Sequence, residues 1–118
     1  MKSHYLRPAL TMPRIYLYRD PVDFRKSFRG LAAIVEQELG HNPFDGALYA
    51  FTNRRRDKIK CLYWDRDGFA LWYKRLEKGC FRFPDQYASD GRIDRLQLTL
   101  LLEGVVAKKI SRRYIFEK

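Results

Sequence analysis

Residues 58–75 read KIKCLYWDRDGFALWYKR, and this stretch decides the fold. Two runs rich in aromatic, β-branched and alternating cationic side chains flank the tetrapeptide DRDG, whose residues favour a turn. The pattern predicts a β-hairpin with strands over residues 58–64 and 69–76. A type I turn with Gly68 in the left-handed conformation would close it.

The pairing across this hairpin decides which side chains share a face. With Asp65 opposite Phe69, Lys60 lies opposite Lys74, and like charges at such a pair are destabilising unless a polyanion covers them. That face interleaves cations with aromatic rings, which suits phosphate contact and base stacking. Its members are Lys58, Lys60, Leu62, Trp64, Trp72 and Lys74. In the alternative, a helix covers both tryptophans and the lysine stems extend to solvent, since a one-residue slip exchanges the faces.

Further elements flank the hairpin on both sides. Apolar runs over residues 14–18, 47–51 and 80–83 predict additional strands. Asp20 and Pro21 are typical of a helix start, and an apolar stripe continues that helix to about residue 39. These elements predict a meander of four to five antiparallel strands.

A second helix follows in the last third of the chain. Asp94 and Gln97 have the spacing of a capping box at the start of a leucine-rich helix. The sequence therefore predicts an α+β fold, in which the first helix packs on one face of the meander and the C-terminal helix lies at its edge.

The chain has room for one domain. Its 118 residues are 46% hydrophobic and 15% aromatic, which indicates a folded core rather than a disordered basic chain. We expect a flexible leader over residues 1–13, a single domain over residues 14–107 and a basic tail over residues 108–118.

The charge of the chain points to a polyanionic partner. The 24 Lys and Arg against 14 Asp and Glu give a net charge of +10, and such a field attracts nucleic acid. The densest cluster occupies the loop before residue 58, where a hairpin tip would grip phosphates; a solvated loop is the alternative. The candidate nucleic-acid-binding residues are Arg54, Arg55, Arg56, Lys58, Lys60, Lys74, Trp72 and Trp64.

Several classes of protein do not fit the sequence. No apolar run approaches the roughly 18 residues of a membrane span, and no secretory signal is visible, so we expect a cytoplasmic protein. Cys61 and Cys80 lack metal-ligand spacing, and with only His4 and His41 beside them they predict free thiols and no zinc site. We expect no catalytic site, metal or cofactor, because the acidic residues have turn or capping roles.

Five motifs follow one another along the chain: PVDFRKSFRGLA at 21–32, NPFDG at 42–46, DKIKCLYWD at 57–65, KRLEKGCF at 74–81 and LLEG at 101–104. In this order they resemble the motifs of a known family, the TnpB-type accessory proteins of insertion sequences of the IS sixty-six family. The likeness runs from about residue 14 to about residue 110. It departs at Arg54, Arg55 and Arg56, which replace a glycine-containing basic loop, and after Gly104, where VVA lacks the usual aromatic residue.

The resemblance implies a bacterial mobile-element protein that assists transposition beside a separate transposase holding the catalytic acids. Joined to the charge pattern, it predicts a non-catalytic accessory protein that binds DNA, at the transposon ends, through the basic loop and the sheet face. One alternative is a protein–protein adaptor whose basic face meets the transposase, and another is a small metal-dependent nuclease. The sequence leaves the oligomeric state open.

Overall fold

The computed structural model describes residues 14–104, so the predicted leader and the predicted basic tail lie outside the described range. Its elements, in chain order, are β1 (Ile15–Leu17), α1 (Phe28–Gln37), β2 (Leu48–Thr52), β3 (Lys58–Asp65), β4 (Gly68–Arg75), β5 (Arg92–Ile93) and α2 (Arg95–Glu103). The strands form one sheet in the order β4-β3-β2-β1-β5. The predicted α+β fold is confirmed.

One strand pair of this sheet is parallel. β1 runs parallel to β2, with Ile15 beside Leu48, whereas the other neighbours are antiparallel. A parallel pair needs a crossover connection, and α1 lies in the segment that joins the two strands. The sheet is therefore mixed, with an antiparallel meander of β2, β3 and β4.

The central strand β2 is buried on both faces. Tyr49 and Phe51 pack with Leu31 and Val35 of α1 in one apolar cluster. The alternate side chains of β2 belong to a second cluster, which α2 completes from the opposite face. The leucines that α2 contributes are Leu98, Leu101 and Leu102.

The hairpin register differs from the predicted one by one residue. Asp65 pairs with Gly68 rather than with Phe69, so Arg66 and Asp67 alone form the tip. Arg66 is the residue with positive φ (60°), and the Asp67 N–H donates to the Asp65 carbonyl at 2.6 Å. The prediction of a left-handed Gly68 is wrong, because the tighter tip places that glycine in β4.

This shift separates the side chains that were predicted to share a face. Lys60 pairs with Tyr73, and Lys74 pairs with Ile59. Side chains of neighbouring residues alternate between the faces of a strand. Lys60 therefore lies on the α1 face and Lys74 on the α2 face, and the two tryptophans are divided in the same way.

Helix α1 begins at Phe28, seven residues after the predicted start at Pro21. Bonds to other parts of the chain hold the preceding segment out of the helix. The Val22 N–H donates to the Thr52 carbonyl at 2.9 Å, and Asp23 Oδ1 accepts the Arg25 N–H at 2.9 Å in a local turn. Such side-chain-to-backbone bonds compete with helical ones.

The second helix begins where the sequence predicts. Asp94 Oδ1 accepts the Gln97 N–H at 2.7 Å, and Gln97 Oε1 accepts the Asp94 N–H at 2.9 Å, so the capping box is complete. Two short strands were mispredicted. Only Cys80 of the predicted strand over residues 80–83 forms a bridge, whereas β5 was missed.

The backbone turn before β5 provides a test of the fold. Gly91 has φ of 89°, and a Cβ there would lie 2.7 Å from the Leu17 carbonyl oxygen, so Gly91→Ala should lower the free energy of unfolding by about 1–3 kcal/mol. Gly68→Ala is the control, because its Cβ would meet open space; it should stay within about 0.5 kcal/mol of wild type. Urea denaturation measures both, and equal losses would contradict the geometry.

Candidate nucleic-acid interface

Three segments of the chain bring cations to one end of the sheet. β2 ends there, β3 begins there and β4 ends there, because β3 runs antiparallel to both neighbours. The segment before α1 joins them through Val22, whose N–H bonds Thr52 at the end of β2. We call this region the basic end. It comprises Arg25, Lys26, Arg54, Arg55, Arg56, Lys58 and Arg75.

Asn53 fixes the shape of the loop that carries the three arginines. Its Nδ2 donates to Asp57 Oδ1 at 2.6 Å, and its Oδ1 accepts the N–H groups of Asp57 and Lys58, both at 3.1 Å. The hydrogen bond from Asn53 holds the pKa of the Asp57 carboxyl below its ordinary value, and the charges of Arg55 and Lys58 add to this effect. The side chain of Asn53 thus joins the first residue of the loop to Asp57 and Lys58 at its other end.

The three loop arginines have different surroundings. The Arg56 backbone has φ of 59°, its carbonyl accepts the Phe81 N–H at 2.7 Å, and its guanidinium lies 3.7 Å from the centre of the Phe83 ring. Arg56 therefore braces the loop against the segment that follows β4. Within residues 14–104, the exposed side chains of Arg54 and Arg55 make no hydrogen bond or ion pair. These two are the loop cations available to a ligand.

Two like charges lie opposite each other on β3 and β4 at the basic end. Lys58 lies directly opposite Arg75, an arrangement that is destabilising in the isolated protein. The prediction of a like-charge pair between Lys60 and Lys74 is wrong, and the pair of Lys58 and Arg75 was not predicted. Burial lowers the pKa of Lys60, and the charge of Lys58 lowers it further.

The other two predicted lysines bind the chain's own carbonyl groups. Lys60 Nζ donates to the carbonyls of Phe24 and Lys26 at 2.9 and 2.8 Å. Lys74 Nζ donates to the Leu102 carbonyl at 2.8 Å, in the last turn of α2, where a cation is favoured. Both ammonium groups thus anchor segments that cover the sheet.

The two tryptophans do not form one aromatic face. Trp64 lies in a cluster at the far end of the hairpin, with ring centres 5.0 Å from Phe44 and 5.1 Å from Phe69. Trp72 is half-buried against the cluster that α2 covers. The prediction of a shared face of cations and tryptophans is wrong, because the register places these rings on opposite sides of the sheet.

Three cations at the basic end were missed as site residues. Arg75 reaches it through the observed register, which a turn sequence compatible with two pairings does not determine. The helix predicted from Pro21 would include Arg25 and Lys26, yet both residues lie in the loop that Lys60 holds. No local pattern signals that placement, because the bond to Lys60 spans 34 residues.

The opposite end of the sheet has a different charge. Asp65 and Asp67 flank Arg66 at the β3–β4 tip, and all three side chains are exposed. Glu36 of α1 lines a groove with Phe44 and Phe69 near this tip and is also exposed. The tip of the hairpin therefore carries two carboxylates and one cation, unlike the basic end, where cations predominate.

Comparison with known proteins identifies the family. Residues 13–112 match the family described as IS66 Orf2 like protein. The chain belongs to this family. Two relatives from Sinorhizobium fredii are each 34% identical: the uncharacterized protein y4jC over 100 residues (85% of this chain, 86% of the relative) and the uncharacterized protein y4hO over 92 residues (78% and 80%). No solved structure matches the chain.

Membership in the IS66 Orf2 like family associates the chain with insertion sequences and transposition. In the described part of the chain, no group of three or more His, Cys, Asp or Glu side chains is placed to hold a metal ion. Nor does any helix between residues 14 and 104 have the length and apolar character to cross a membrane. Cys61 and Cys80 are free thiols, and burial raises the pKa of Cys61 well above its ordinary value.

The closure of the loop by Asn53 predicts a measurable pKa change. Asn53→Ala removes the donor to Asp57, so the pKa of Asp57 should rise toward the ordinary value of about 3.9. A carboxyl group whose pKa is lowered in the folded protein stabilises the fold above its ordinary pKa, and this stabilisation disappears as the pH falls. The free energy of unfolding of the variant should therefore change less than that of wild type as the pH falls. NMR titration of the carboxyl carbons measures the shift.

Asn42→Ala is the matched control for this titration. Asn42 Oδ1 accepts the Phe44 N–H at 3.0 Å in a comparable local turn away from the arginine loop. Its replacement should leave the pKa of Asp57 unchanged. A titration curve of Asp57 that is the same in Asn53→Ala and wild type would contradict the role of the Asn53 hydrogen bond.

Proposed function

We propose that this protein is a non-catalytic accessory factor of insertion-sequence transposition that binds DNA, at the transposon ends, through its basic end. The observation that carries the proposal is the convergence of Arg54, Arg55, Lys58 and Arg75 at one end of the sheet, where none of them forms an ion pair within residues 14–104, whereas Arg25 is paired with Asp23. Arg54 and Arg55 project from a loop of fixed shape, and Lys58 and Arg75 add a like-charged pair beside it. Phosphate contact would neutralise these charges and release condensed counterions from the DNA.

The proposed contacts revise the set predicted from the sequence. Arg54, Arg55 and Lys58 remain phosphate contacts, and Arg75 joins them. Lys60, Lys74 and Arg56 act as structural anchors, since each is bound to the chain's own carbonyls or rings. The two tryptophans serve as packing residues.

Substitution of the loop arginines tests the interface. Arg54→Gln and Arg55→Gln should each weaken duplex DNA binding and lower the slope of log K against log salt by about 0.9, the value for one lost phosphate contact. Fluorescence anisotropy of labelled transposon-end and scrambled duplexes at several salt concentrations measures affinity and slope together. Equal loss on both duplexes would mark backbone contact rather than base reading.

Arg66→Asn is the charge-matched control. Arg66 is exposed at the opposite tip of the hairpin, and asparagine tolerates its positive φ. Removal of this charge should change the slope much less than removal of Arg54 or Arg55. If all three variants lose affinity equally, the binding depends on net charge and the assignment to the basic end fails.

The same titration separates a binding protein from a nuclease. With Mg²⁺ added, the labelled DNA should stay intact on a denaturing gel over hours, because the proposed contacts are cationic and hold no metal ion. Cleavage that EDTA abolishes and that copurifies with the protein would overturn the non-catalytic assignment.

A second candidate function is an adaptor for the element's transposase. An apolar groove of about 450 Å³ between α1 and the loop before β2 favours it. Phe28, Phe44 and Phe69 line this groove, and Phe44 is 51% exposed. If the adaptor role is right, Phe44→Ser should abolish copurification with the coexpressed transposase, whereas Arg55→Gln should not.

A further inference from the structure

An exposed aromatic ring lies among the cations of the basic end. Tyr73, on the edge strand β4, has 51% of its surface exposed. Its side chain shares a face with Arg75, two residues further along the strand, and Lys58 lies opposite that arginine. The Tyr73 ring therefore borders the like-charged pair on one side.

The segment before α1 borders this ring on its other side. The Phe24 ring packs at an angle against Tyr73, with the ring centres 6.1 Å apart. Lys60 Nζ lies 4.8 Å from the centre of the Phe24 ring and 5.8 Å from that of Tyr73, and it holds the carbonyls of Phe24 and Lys26. We call Tyr73 and Phe24 the aromatic platform.

Lys60 gives this platform a fixed position. The two carbonyl bonds hold residues 24–26 against the sheet, while the side chain of Lys26 packs over Gly30 of α1. The cation also lies near both rings, where its attraction to them adds to the carbonyl bonds. The platform is thus an aromatic surface that Lys60 holds in place, with Arg75 and Lys58 beside the Tyr73 ring.

We propose that the aromatic platform stacks an unpaired base, and that the preferred ligand of the basic end is single-stranded DNA. This inference rests on the proposed DNA-binding function and specifies the form of the DNA. In the interior of a duplex, the faces of the bases are hidden within the stack, so away from the duplex ends an exposed ring can stack only on an unpaired base. Single-strand binding sites combine cations that follow the backbone with aromatic side chains that stack on bases.

Replacement of Tyr73 separates stacking from charge. Tyr73→Val keeps a residue that suits a strand but removes the ring, and it should weaken binding to a labelled 20-nucleotide single strand about 5- to 150-fold. The salt slope should stay that of wild type, because no cation is lost. Tyr73→Phe should bind like wild type, since stacking needs the ring and not the hydroxyl group.

Three comparisons make this result specific. Duplex DNA of the same sequence should bind Tyr73→Val and wild type equally. Leu96→Ala should bind the single strand like wild type, although Leu96 is 67% exposed, because it lies on α2, which covers the face of the sheet opposite Tyr73. Circular dichroism and urea denaturation show whether each variant is folded. If Tyr73→Val is unfolded, Tyr73→Thr replaces it as the variant without the ring.

The outcomes distinguish this inference from the proposed function. DNA binding that depends on Arg54 and Arg55 but not on the Tyr73 ring would overturn stacking and leave the function intact. Equal losses on single strand and duplex would also overturn stacking. Tighter binding of single-stranded RNA than of the same DNA sequence would overturn the DNA assignment. Failure of wild type to bind any DNA would overturn both proposals.

Discussion

The burial of β2 on both faces is the constraint on which the rest of the structure depends. None of its five residues is more than 1% exposed. Because side chains alternate along a strand, Tyr49 and Phe51 need a cover on one side, and Leu48 and Ala50 need one on the other. Helices α1 and α2 supply these covers. A partner can therefore reach only the helices, the ends of the strands and the edge strands of the sheet.

This constraint changes the role of cations within the sheet. Lys60 and Lys74 lie on opposite covered faces, and an ammonium removed from water there needs acceptors. Lys60 finds them in the segment before α1, and Lys74 finds one in the last turn of α2. Each lysine consequently stabilises a cover of the sheet. Only cations beyond the covered faces, such as Arg54 and Arg55, keep their full hydration for exchange with a phosphate.

The sequence predicts elements whose signals are local. The capping box of α2 was confirmed because Asp94 and Gln97 satisfy each other within one turn. The register was wrong because DRDG fits both a longer turn and a two-residue tip, and a one-residue slip moves every side chain to the other face. The start of α1 was wrong because Lys60 and the end of β2 bind the segment before it. The distribution of loop charge was predictable, whereas the platform depends on a contact between distant segments.

The arginine loop and the aromatic platform are held by the same strand, β3. β3 begins directly after the arginine loop, and Lys60 follows Lys58 by two residues, or about 7 Å along the strand. Asn53 fixes the loop at the start of this strand, and Lys60, two residues after Lys58, fixes the platform. A single strand of DNA bound at the loop would then reach the Tyr73 ring without rearrangement of either part. Such preorganisation reduces the entropy that is lost on binding. The electrostatic and stacking contributions should then reinforce each other on one strand of DNA.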